Sequence, residues 1–259
     1  MPGTRFGPRR IREVSEGLES YSPALRRDLE ELVFFDMGDL ELPFGNPRKA
    51  LEHIEDVLKP IFQAGRLPVM LGGEHTITLA GVRAALATYP DLIIIQFDAH
   101  ADLRHEYCGE EISHATVMRR ITEAIGGERV YQFGIRSGTR EEFEFGRENT
   151  RFFPGNGLEG VLRAATEELG ERPVYLTVDI DVVDPAFAPG TGTPEPGGWT
   201  ASELFDALHA IRDLNVIGCD LVEVCPAAEH GVVTSILGAK VVREMLLAFG
   251  FSRSQRAWS

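Results

Sequence analysis

The sequence is poor in cysteine, lacks long apolar runs and has fewer basic than acidic residues. Its three cysteines, Cys108, Cys219 and Cys225, are odd in number and far apart, which does not indicate a disulfide framework or a cysteine-bound zinc site. No apolar run is long enough to span a membrane, and the N-terminus lacks the apolar core of a secretory signal. We therefore expect a cytoplasmic protein with no membrane partner.

The charge balance narrows the range of partners. The 259 residues include 40 acidic and 26 basic side chains, a formal net charge of −14. This balance disfavours nucleic acid and anionic membrane surfaces, and it is compatible with a small cationic substrate. No repeat, linker or low-complexity tract divides the chain, so we predict a single domain over residues 1–259.

Short apolar runs alternate with helical patterns along most of the chain. The runs are rich in Val, Ile, Leu and Phe without polar alternation, which is typical of strands buried on both faces of a parallel sheet. They predict strands at residues 32–37, 68–71, 92–97, 130–134, 174–178 and 216–222. Capping and stop signals bound three helical patterns, at residues 47–64, 200–212 and 232–249. The alternation indicates an α/β fold with a doubly wound, mostly parallel sheet and helices on both faces.

Side chains that bind metal ions follow three of the predicted strands, at the carboxyl end of each. Ligands bind beyond these ends in open α/β sheets. Residues two apart on a strand point the same way, so Asp98 and His100 project together and Asp102 can fold back over them. The three ends together supply His75, Asp98, His100, Asp102, Asp179 and Asp181.

Four carboxylates and two imidazoles cannot be crowded together without compensating positive charge. Two divalent cations would supply that charge, and a ligand set without thiolate favours manganese or another first-row ion. Such a pair would lower the pKa of a shared water and make it a nucleophile near neutral pH. A single Asp or His at a strand end is often a cap or a core residue, but the three motifs together predict a binuclear metal site.

Five stretches, in this order along the chain, resemble the ureohydrolase family of arginases and agmatinases. They are residues 72–75 (GGEH), 97–102 (FDAHAD), 113–115 (SHA), 177–192 (TVDIDVVDPAFAPGTG) and 220–224 (DLVEV). The resemblance implies a three-layer α/β/α sandwich that assembles into homotrimers or homohexamers. Family members usually carry a further N-terminal stretch, including a first strand, before the segment that resembles residues 2–8.

The resemblance also implies how two manganese ions would be held. The first ion would have as ligands His75, Asp98, Asp102 and Asp179. The second would have Asp98, His100, Asp179 and Asp181, so that Asp98 and Asp179 bridge the pair. Two Mn²⁺ per chain are therefore expected as cofactors.

Three residues have implied roles in the reaction itself. Glu223 matches the position that binds the substrate guanidinium, a planar cation whose fork of donors suits a carboxylate. His114 matches the position that shuttles protons, and an imidazole with an ordinary pKa near 6.5 can deliver a proton to a leaving amine. Asp102 would accept a hydrogen bond from the attacking water and orient it.

The loop before His114 favours agmatine as the substrate. Arginases place an Asn- and Ser-rich stretch here to hold the α-carboxylate and α-amine of arginine, whereas this chain has Glu106, Glu110 and Glu111. Carboxylates repel an α-carboxylate and attract a free ammonium end, so Glu110 and Glu111 are predicted to bind substrate. The loop is also compatible with a simple solvated acidic surface.

Other activities stay open at this stage. N1-aminopropylagmatine has a similar cationic end, and arginase, guanidinobutyrase or formiminoglutamase activity would use the same metal site. A catalytically silent metal-binding scaffold is the alternative of another class, and a lost ligand, lost His114 or lost Glu223 would be its sequence signature. All of these residues are present.

Overall fold

Six parallel strands form the central sheet of this computed structural model, which describes residues 3–155, 161 and 169–254. A short hairpin, β1 (Tyr21–Ser22) and β2 (Arg27–Asp28), precedes it. The sheet strands are β3 (Val69–Leu71), β4 (Ile93–Phe97), β5 (Val130–Ile135), β6 (Arg151–Pro154), β7 (Val174–Asp179) and β8 (Val216–Val222). Their order is β3-β8-β7-β4-β5-β6, and all neighbours are parallel, so every carboxyl end lies at the same edge of the sheet.

Helices cover both faces of this sheet. They are α1 (Gly7–Ser15), α2 (Pro47–Gln63), α3 (Ile77–Leu86), α4 (Val117–Ile125), α5 (Arg140–Asn149), α6 (Ala201–Ala210) and α7 (Val233–Ser254). Alternate residues of β4 enter different cores: Ile93 and Ile95 belong to the core that contains residues of α1, α6 and α7, and Ile94 to the core of α2, α3 and α4. This division confirms the predicted α/β class and gives three layers, α/β/α. No helix of the described chain is both long enough and apolar enough to cross a membrane.

Local signals account for where several helices begin. Asn46 accepts a hydrogen bond from the Lys49 backbone N–H, and Pro47 occupies the first turn of α2. A reciprocal capping box between Thr200 and Glu203 starts α6. These caps satisfy backbone donors that the first helical turn leaves without partners.

The predicted strand at residues 32–37 is wrong. Five other predicted strands are confirmed as β3, β4, β5, β7 and β8, with bounds within about one residue. Residues 32–37 instead form an irregular segment, in which Val33 is 99% exposed. Arg12 forms ion pairs with Asp36 of this segment and with Asp39 just after it. An apolar run makes a strand only when a neighbouring strand pairs with it, and composition does not reveal that partner.

Several elements were not predicted. The edge strand β6 carries Arg151 and Pro154 and so lacks the apolar run of its neighbours. Helices α1, α3, α4 and α5 were also missed, and α7 continues past Gly250, where the prediction ended it. Gly250 serves packing there, because a Cβ at this position would lie 2.9 Å from Cδ2 of Leu32.

Candidate metal centre

Four strand ends meet at the carboxyl edge of the sheet, because β3, β8, β7 and β4 are consecutive neighbours. The turn after β3 leads to His75, β4 leads to Asp98, β7 ends at Asp179, and Glu223 follows β8. Gly72 allows the turn after β3 to approach β8, since a Cβ there would lie 2.6 Å from a methyl group of Val222. Parallel topology thus brings together residues that are up to about 150 positions apart in the sequence.

The first group of candidate ligands surrounds the imidazole of His75. Its Nδ1 atom lies 3.2 Å from Asp98 Oδ2, 3.1 Å from Asp102 Oδ2 and 3.5 Å from Asp179 Oδ2. All four side chains are buried, yet His75 Nδ1 has no hydrogen-bond partner in the described chain. A buried nitrogen among three carboxylate oxygens, without a hydrogen bond, is an arrangement that fits a metal ligand.

The other nitrogen of His75 is held by a buried hydroxyl and a carboxylate. Thr177 Oγ1 donates its one proton to Asp220 Oδ1 at 2.6 Å and lies 2.9 Å from His75 Nε2. The Nε2 atom must therefore carry the ring proton and donate it to Thr177, which leaves the Nδ1 lone pair directed at the three carboxylates. Asp220 also accepts hydrogen bonds from the hydroxyls of Tyr175 and Thr78.

The second group contains Asp98, His100 and Asp181. His100 Nδ1 lies 2.9 Å from Asp181 Oδ2 and 3.7 Å from Asp98 Oδ1. Asp98 thus belongs to both groups, one oxygen facing His75 and the other facing His100. Asp179 lies with the first group, and its Oδ1 accepts a hydrogen bond from the Asp181 backbone N–H.

The electrostatics of this cluster call for a cation. Burial, together with the charges of Asp102 and Asp181, raises the pKa of Asp98 to about 7. Burial and the same kind of repulsion raise the pKa of Asp179 well above its ordinary value. The pKa of His100 rises to about 10 because the surrounding carboxylates outweigh burial, which by itself lowers it. Oxygen and imidazole donors that repel one another in this way fit divalent cations, which would relieve the repulsion.

Two of the predicted site residues adopt a strained backbone. Asp102 has φ of 53° and Glu223 has φ of 63°, in the left-handed region that side-chain-bearing residues rarely occupy. In Asp102 this conformation turns the chain back so that the carboxylate reaches His75. Such strain persists where the surrounding structure holds a side chain in place, and it concentrates at functional sites.

Glu223 and His114 lie at the rim of the cluster. Glu223 Oε1 accepts a hydrogen bond from the His75 backbone N–H at 2.8 Å, and burial raises the pKa of Glu223 to about 7. His114 is half-exposed, and its Nδ1 lies 3.2 Å from Glu74 Oε1, whose hydrogen bond raises the pKa of His114. The ring of Tyr107 meets His114 edge to face at 5.4 Å between centroids. His114 is thus held by contacts on two sides while part of its ring stays open to solvent.

The acidic loop lies outside this cluster. Glu106, Glu110 and Glu111 are exposed, and within the described residues no hydrogen bond or ion pair engages the carboxylates of Glu110 and Glu111. A tight turn links Tyr107 and Glu110 through paired backbone hydrogen bonds, and the Tyr107 ring of the same loop contacts His114. The predicted contact of Glu110 and Glu111 with substrate stays a prediction.

Several residues that support the site were given no role from the sequence, although some of them lie within its motifs. Thr177 and Asp220 hold His75, Gln96 donates to Asp98 Oδ2 at 2.7 Å, and Glu74 pairs with His114. Arg136 donates to four backbone carbonyls, including those of Asp181 and Glu195, and thereby fastens the loop at residues 184–198, which follows β7 and is rich in Gly and Pro. The available signal was a polar residue inside an otherwise apolar strand, as at Gln96 and Asp220.

The fold and the site define an α/β/α sandwich protein with histidine and aspartate groups beyond its strand ends. The chain belongs to the arginase family: the sequence model of that family matches residues 1–248. Within the family it is a ureohydrolase similar to agmatinases, which confirms the resemblance drawn from its motifs.

Individual relatives cover most of the chain. An agmatinase of Bacillus subtilis (strain 168) is 51% identical over 250 residues, which are 96% of this chain and 86% of that protein. A guanidinobutyrase of Pseudomonas aeruginosa is 39% identical over 255 residues, covering 94% of this chain and 80% of the relative. A solved structure from Clostridium difficile superposes with a TM-score of 0.93 at 39% identity, over 97% of this chain and 92% of that one.

Proposed function

We propose that this chain hydrolyses agmatine to putrescine and urea with the aid of two Mn²⁺ ions. The observation that carries the proposal is the pair of buried His/Asp groups that share Asp98, in a chain 51% identical to an agmatinase. Release of putrescine would give the reaction a role in polyamine biosynthesis. The three unpaired cysteines, of which Cys108 is exposed, suit the reducing cytoplasm as its location.

Six side chains would hold the metal pair. The first ion would lie among those around His75, the second beside His100, and Asp98 would serve both; the full set is His75, Asp98, His100, Asp102, Asp179 and Asp181. When bound, two divalent cations supply Lewis acidity and lower the pKa of a water molecule between them. Every other part of the chemistry falls to residues of the chain itself.

Glu223 would bind and orient the guanidinium. Its carboxylate lies next to the His75 backbone, and the hydrogen bond from that N–H fixes the position of Oε1. A charged, forked contact between carboxylate and guanidinium would hold the substrate carbon in front of Asp102. Asp102 would accept a hydrogen bond from the attacking water and set its direction of approach.

His114 would deliver the proton that the departing amine needs. In the reaction, water oxygen bonds to the guanidinium carbon, and the bond from that carbon to the alkyl-bearing nitrogen breaks. That nitrogen leaves with the electron pair and takes a proton. Because Glu74 raises the pKa of His114, more of the imidazole is protonated at neutral pH, which suits a general acid.

The acidic loop would select the cationic end of agmatine. Glu106, Glu110 and Glu111 give the loop beside His114 a negative field, which attracts an ammonium group and repels a carboxylate. Guanidinobutyrate, the substrate named by the 39% identical relative, has a carboxylate at this end. The loop therefore favours agmatine, or its aminopropyl derivative, over guanidinobutyrate and arginine.

We also propose that the chain forms a homotrimer or homohexamer. Residues 33–44, here called the apolar arm, expose seven large apolar side chains: Val33, Phe34, Phe35, Met37, Leu40, Leu42 and Phe44. Apolar surface of this kind usually lies at an interface with another chain. Sedimentation equilibrium of the purified protein tests this assembly.

Urea release across a substrate panel tests the proposed activity. The manganese-loaded protein is incubated with agmatine, arginine, 4-guanidinobutyrate and N1-aminopropylagmatine, and kcat/KM is compared. We expect agmatine to be the best substrate, and we expect Asp181→Ala to be folded but nearly inactive because it removes one ligand of the second group.

Two results would contradict the proposal. Faster hydrolysis of guanidinobutyrate would overturn the substrate and the role given to the acidic loop. Absence of urea above a manganese-only control with every substrate, together with fewer than about two ions per chain, would instead favour a silent scaffold.

A further inference from the structure

A row of buried polar side chains crosses the sheet one layer beneath the candidate metal centre. Asp220 of β8, Thr177 of β7, Gln96 of β4 and Gln132 of β5 are partners in the strand register, Asp220 with Thr177, Thr177 with Gln96, and Gln96 with Gln132. All four are completely buried, in strands whose other residues are mostly apolar. Buried polar groups destabilise a fold unless they are hydrogen-bonded, so core packing alone does not explain why four polar side chains lie side by side here.

The two glutamines of the row are linked by hydrogen bonds to the carboxylate of Asp98. Gln132 Nε2 donates to the Ala101 carbonyl at 2.9 Å and to Gln96 Oε1 at 2.7 Å. Gln96 Nε2 in turn donates to Asp98 Oδ2 at 2.7 Å. On the far side, the Thr150 hydroxyl lies 3.0 Å from Gln132 Oε1 and 2.9 Å from the Gly146 carbonyl.

The direction of donation along this series of hydrogen bonds, from Gln132 through Gln96 to Asp98, is fixed at both ends. The Ala101 carbonyl can only accept, so the amide nitrogen of Gln132 must face it, and the second proton of that nitrogen is left for Gln96 Oε1. The nitrogen of Gln96 must then face Asp98, which as a carboxylate also only accepts. Neither amide can flip without placing two acceptors or two donors against each other in a dry interior.

The geometry points to Gln132 as a positioning residue for the metal centre, acting through Gln96 on Asp98; this rests on the proposed metal-dependent function. We propose that the two-amide relay holds Oδ2 of Asp98 toward His75, while the His100 backbone N–H, at 2.6 Å, holds Oδ1. One carboxylate is thereby oriented so that each oxygen can serve one ion. Gln132 itself touches neither ion group.

Two substitutions at Gln132 test the relay, with a control beyond it. Gln132→Met removes the donors at similar volume, and Gln132→Glu keeps the shape but replaces the donating nitrogen with an acceptor. Thr150→Val removes the hydroxyl on the far side and leaves both donations by Gln132 intact. Each protein is stripped with EDTA and titrated with Mn²⁺ alone by calorimetry, without substrate. The spin coupling of the bound Mn²⁺ pair is recorded by electron paramagnetic resonance.

We expect about tenfold weaker Mn²⁺ binding in each Gln132 variant whose metal-free form keeps the parental Tm. The reason is that hydrogen bonds to metal ligands from residues behind them typically contribute 10–100-fold to metal affinity. The coupling signal of the ion pair should change with it, whereas Thr150→Val should keep the parental affinity and spectrum. Parental affinity and an unchanged spectrum in either Gln132 variant would overturn the relay, as would an equal loss in Thr150→Val. Failure of the parental protein itself to bind two ions would overturn the proposed function and the relay with it.

Discussion

Two buried clusters of charge in this molecule are built in opposite ways. At the candidate metal centre, aspartates surround His75 and His100, and the pKa values of Asp98 and Asp179 are raised. In the second cluster, between α6, α7 and the N-terminal hairpin, Glu244 accepts hydrogen bonds from Ser22 and Arg243 and contacts His209 Nε2 at 2.9 Å. Its pKa falls to about 2, because these partners outweigh the effect of burial.

The difference lies in where the compensating charge comes from. Arg243 supplies a cation to Glu244 from within the chain, so this cluster is complete and ties the hairpin to α7. The aspartates at the sheet edge have too few cationic partners among the described residues, and their geometry leaves His75 Nδ1 without a hydrogen bond. Carboxylates that repel one another, while the fold holds them close together, form a group that can bind a cation from solution. Four predictions sharpen this contrast, and they run from the largest expected effect to the smallest.

Asp98→Asn should abolish both activity and binding of the metal pair. Asp98 is shared by the two His/Asp groups, and an amide offers one neutral oxygen where the carboxylate offered two charged ones. We expect urea release to fall by at least about 10³-fold, as for residues whose loss disables a whole catalytic unit. Asp91→Asn, at an exposed position, is the matched control and should retain full activity. Two tightly bound ions in Asp98→Asn would contradict the shared role.

His114→Asn should slow the reaction without emptying the metal site. His114 lies at the rim against Glu74 and Tyr107 and contacts no carboxylate of either His/Asp group. Loss of a general acid typically lowers kcat by about 10²–10⁴-fold. The manganese content should equal that of the parental protein, and His105→Asn on the same loop should behave as the parental enzyme. A parental kcat in His114→Asn would remove this residue from the mechanism.

Manganese should raise the thermal stability of the parental protein. A ligand at about 100 times its Kd stabilises the folded state by about 2.7 kcal/mol, which for a chain of this size corresponds to a rise in Tm of about 5–10 °C. Differential scanning fluorimetry with and without EDTA measures it. Glu244→Gln should keep this rise, because its cluster is complete without metal, whereas Asp98→Asn should lose most of it. An equal rise in both variants would show that the ion acts elsewhere.

Glu244→Gln should destabilise the fold by an amount that depends on pH. Since the pKa of Glu244 is about 2 in the folded chain and ordinarily 4.5, ionised Glu244 stabilises the fold fully above about pH 5. That contribution decreases as the pH falls from 4.5 toward 2. We expect a loss of about 2 kcal/mol at pH 7 that shrinks at pH 3.5, measured by urea unfolding in EDTA.

An exposed glutamate provides the control for this pH dependence. Glu13 pairs with Arg9 and Arg10 on the surface of α1, so Glu13→Gln should leave the unfolding midpoint nearly unchanged at either pH. A loss in Glu244→Gln that stays constant from pH 7 to pH 3.5 would show that the side chain contributes packing rather than charge.

The candidate ligands were predictable because each follows a predicted strand in a short motif. Asp98 and His100 are two residues apart, as are Asp179 and Asp181, and this spacing on an extended chain places the members of each pair on one side. Their supporting residues were not predictable in this way. Gln132 reaches Asp98 only through Gln96, a neighbour from another strand, and sequence spacing carries no information about such a pairing.

Fold prediction failed where an element depends on a partner outside itself. The run at residues 32–37 has the composition of a strand, but no strand of the described sheet pairs with it, and Arg12 forms an ion pair with its Asp36 at the surface. Conversely, β6 pairs with β5 although Arg151 and Pro154 make it a poor strand by composition. Both outcomes depend on which neighbours are present, since a strand is stabilised by pairing as much as by its own residues.

The sequence by itself determined the local features of this protein. The alternation of strands and helices, the candidate metal ligands at three strand ends and the excess of negative charge follow from residue types and their spacing. Tertiary structure alone decided that His75 is held through Thr177 and Asp220 and that the apolar arm lies exposed. The physical reason is that hydrogen bonds and charge interactions act over a few ångströms of space, and the order of strands in the sheet sets those distances.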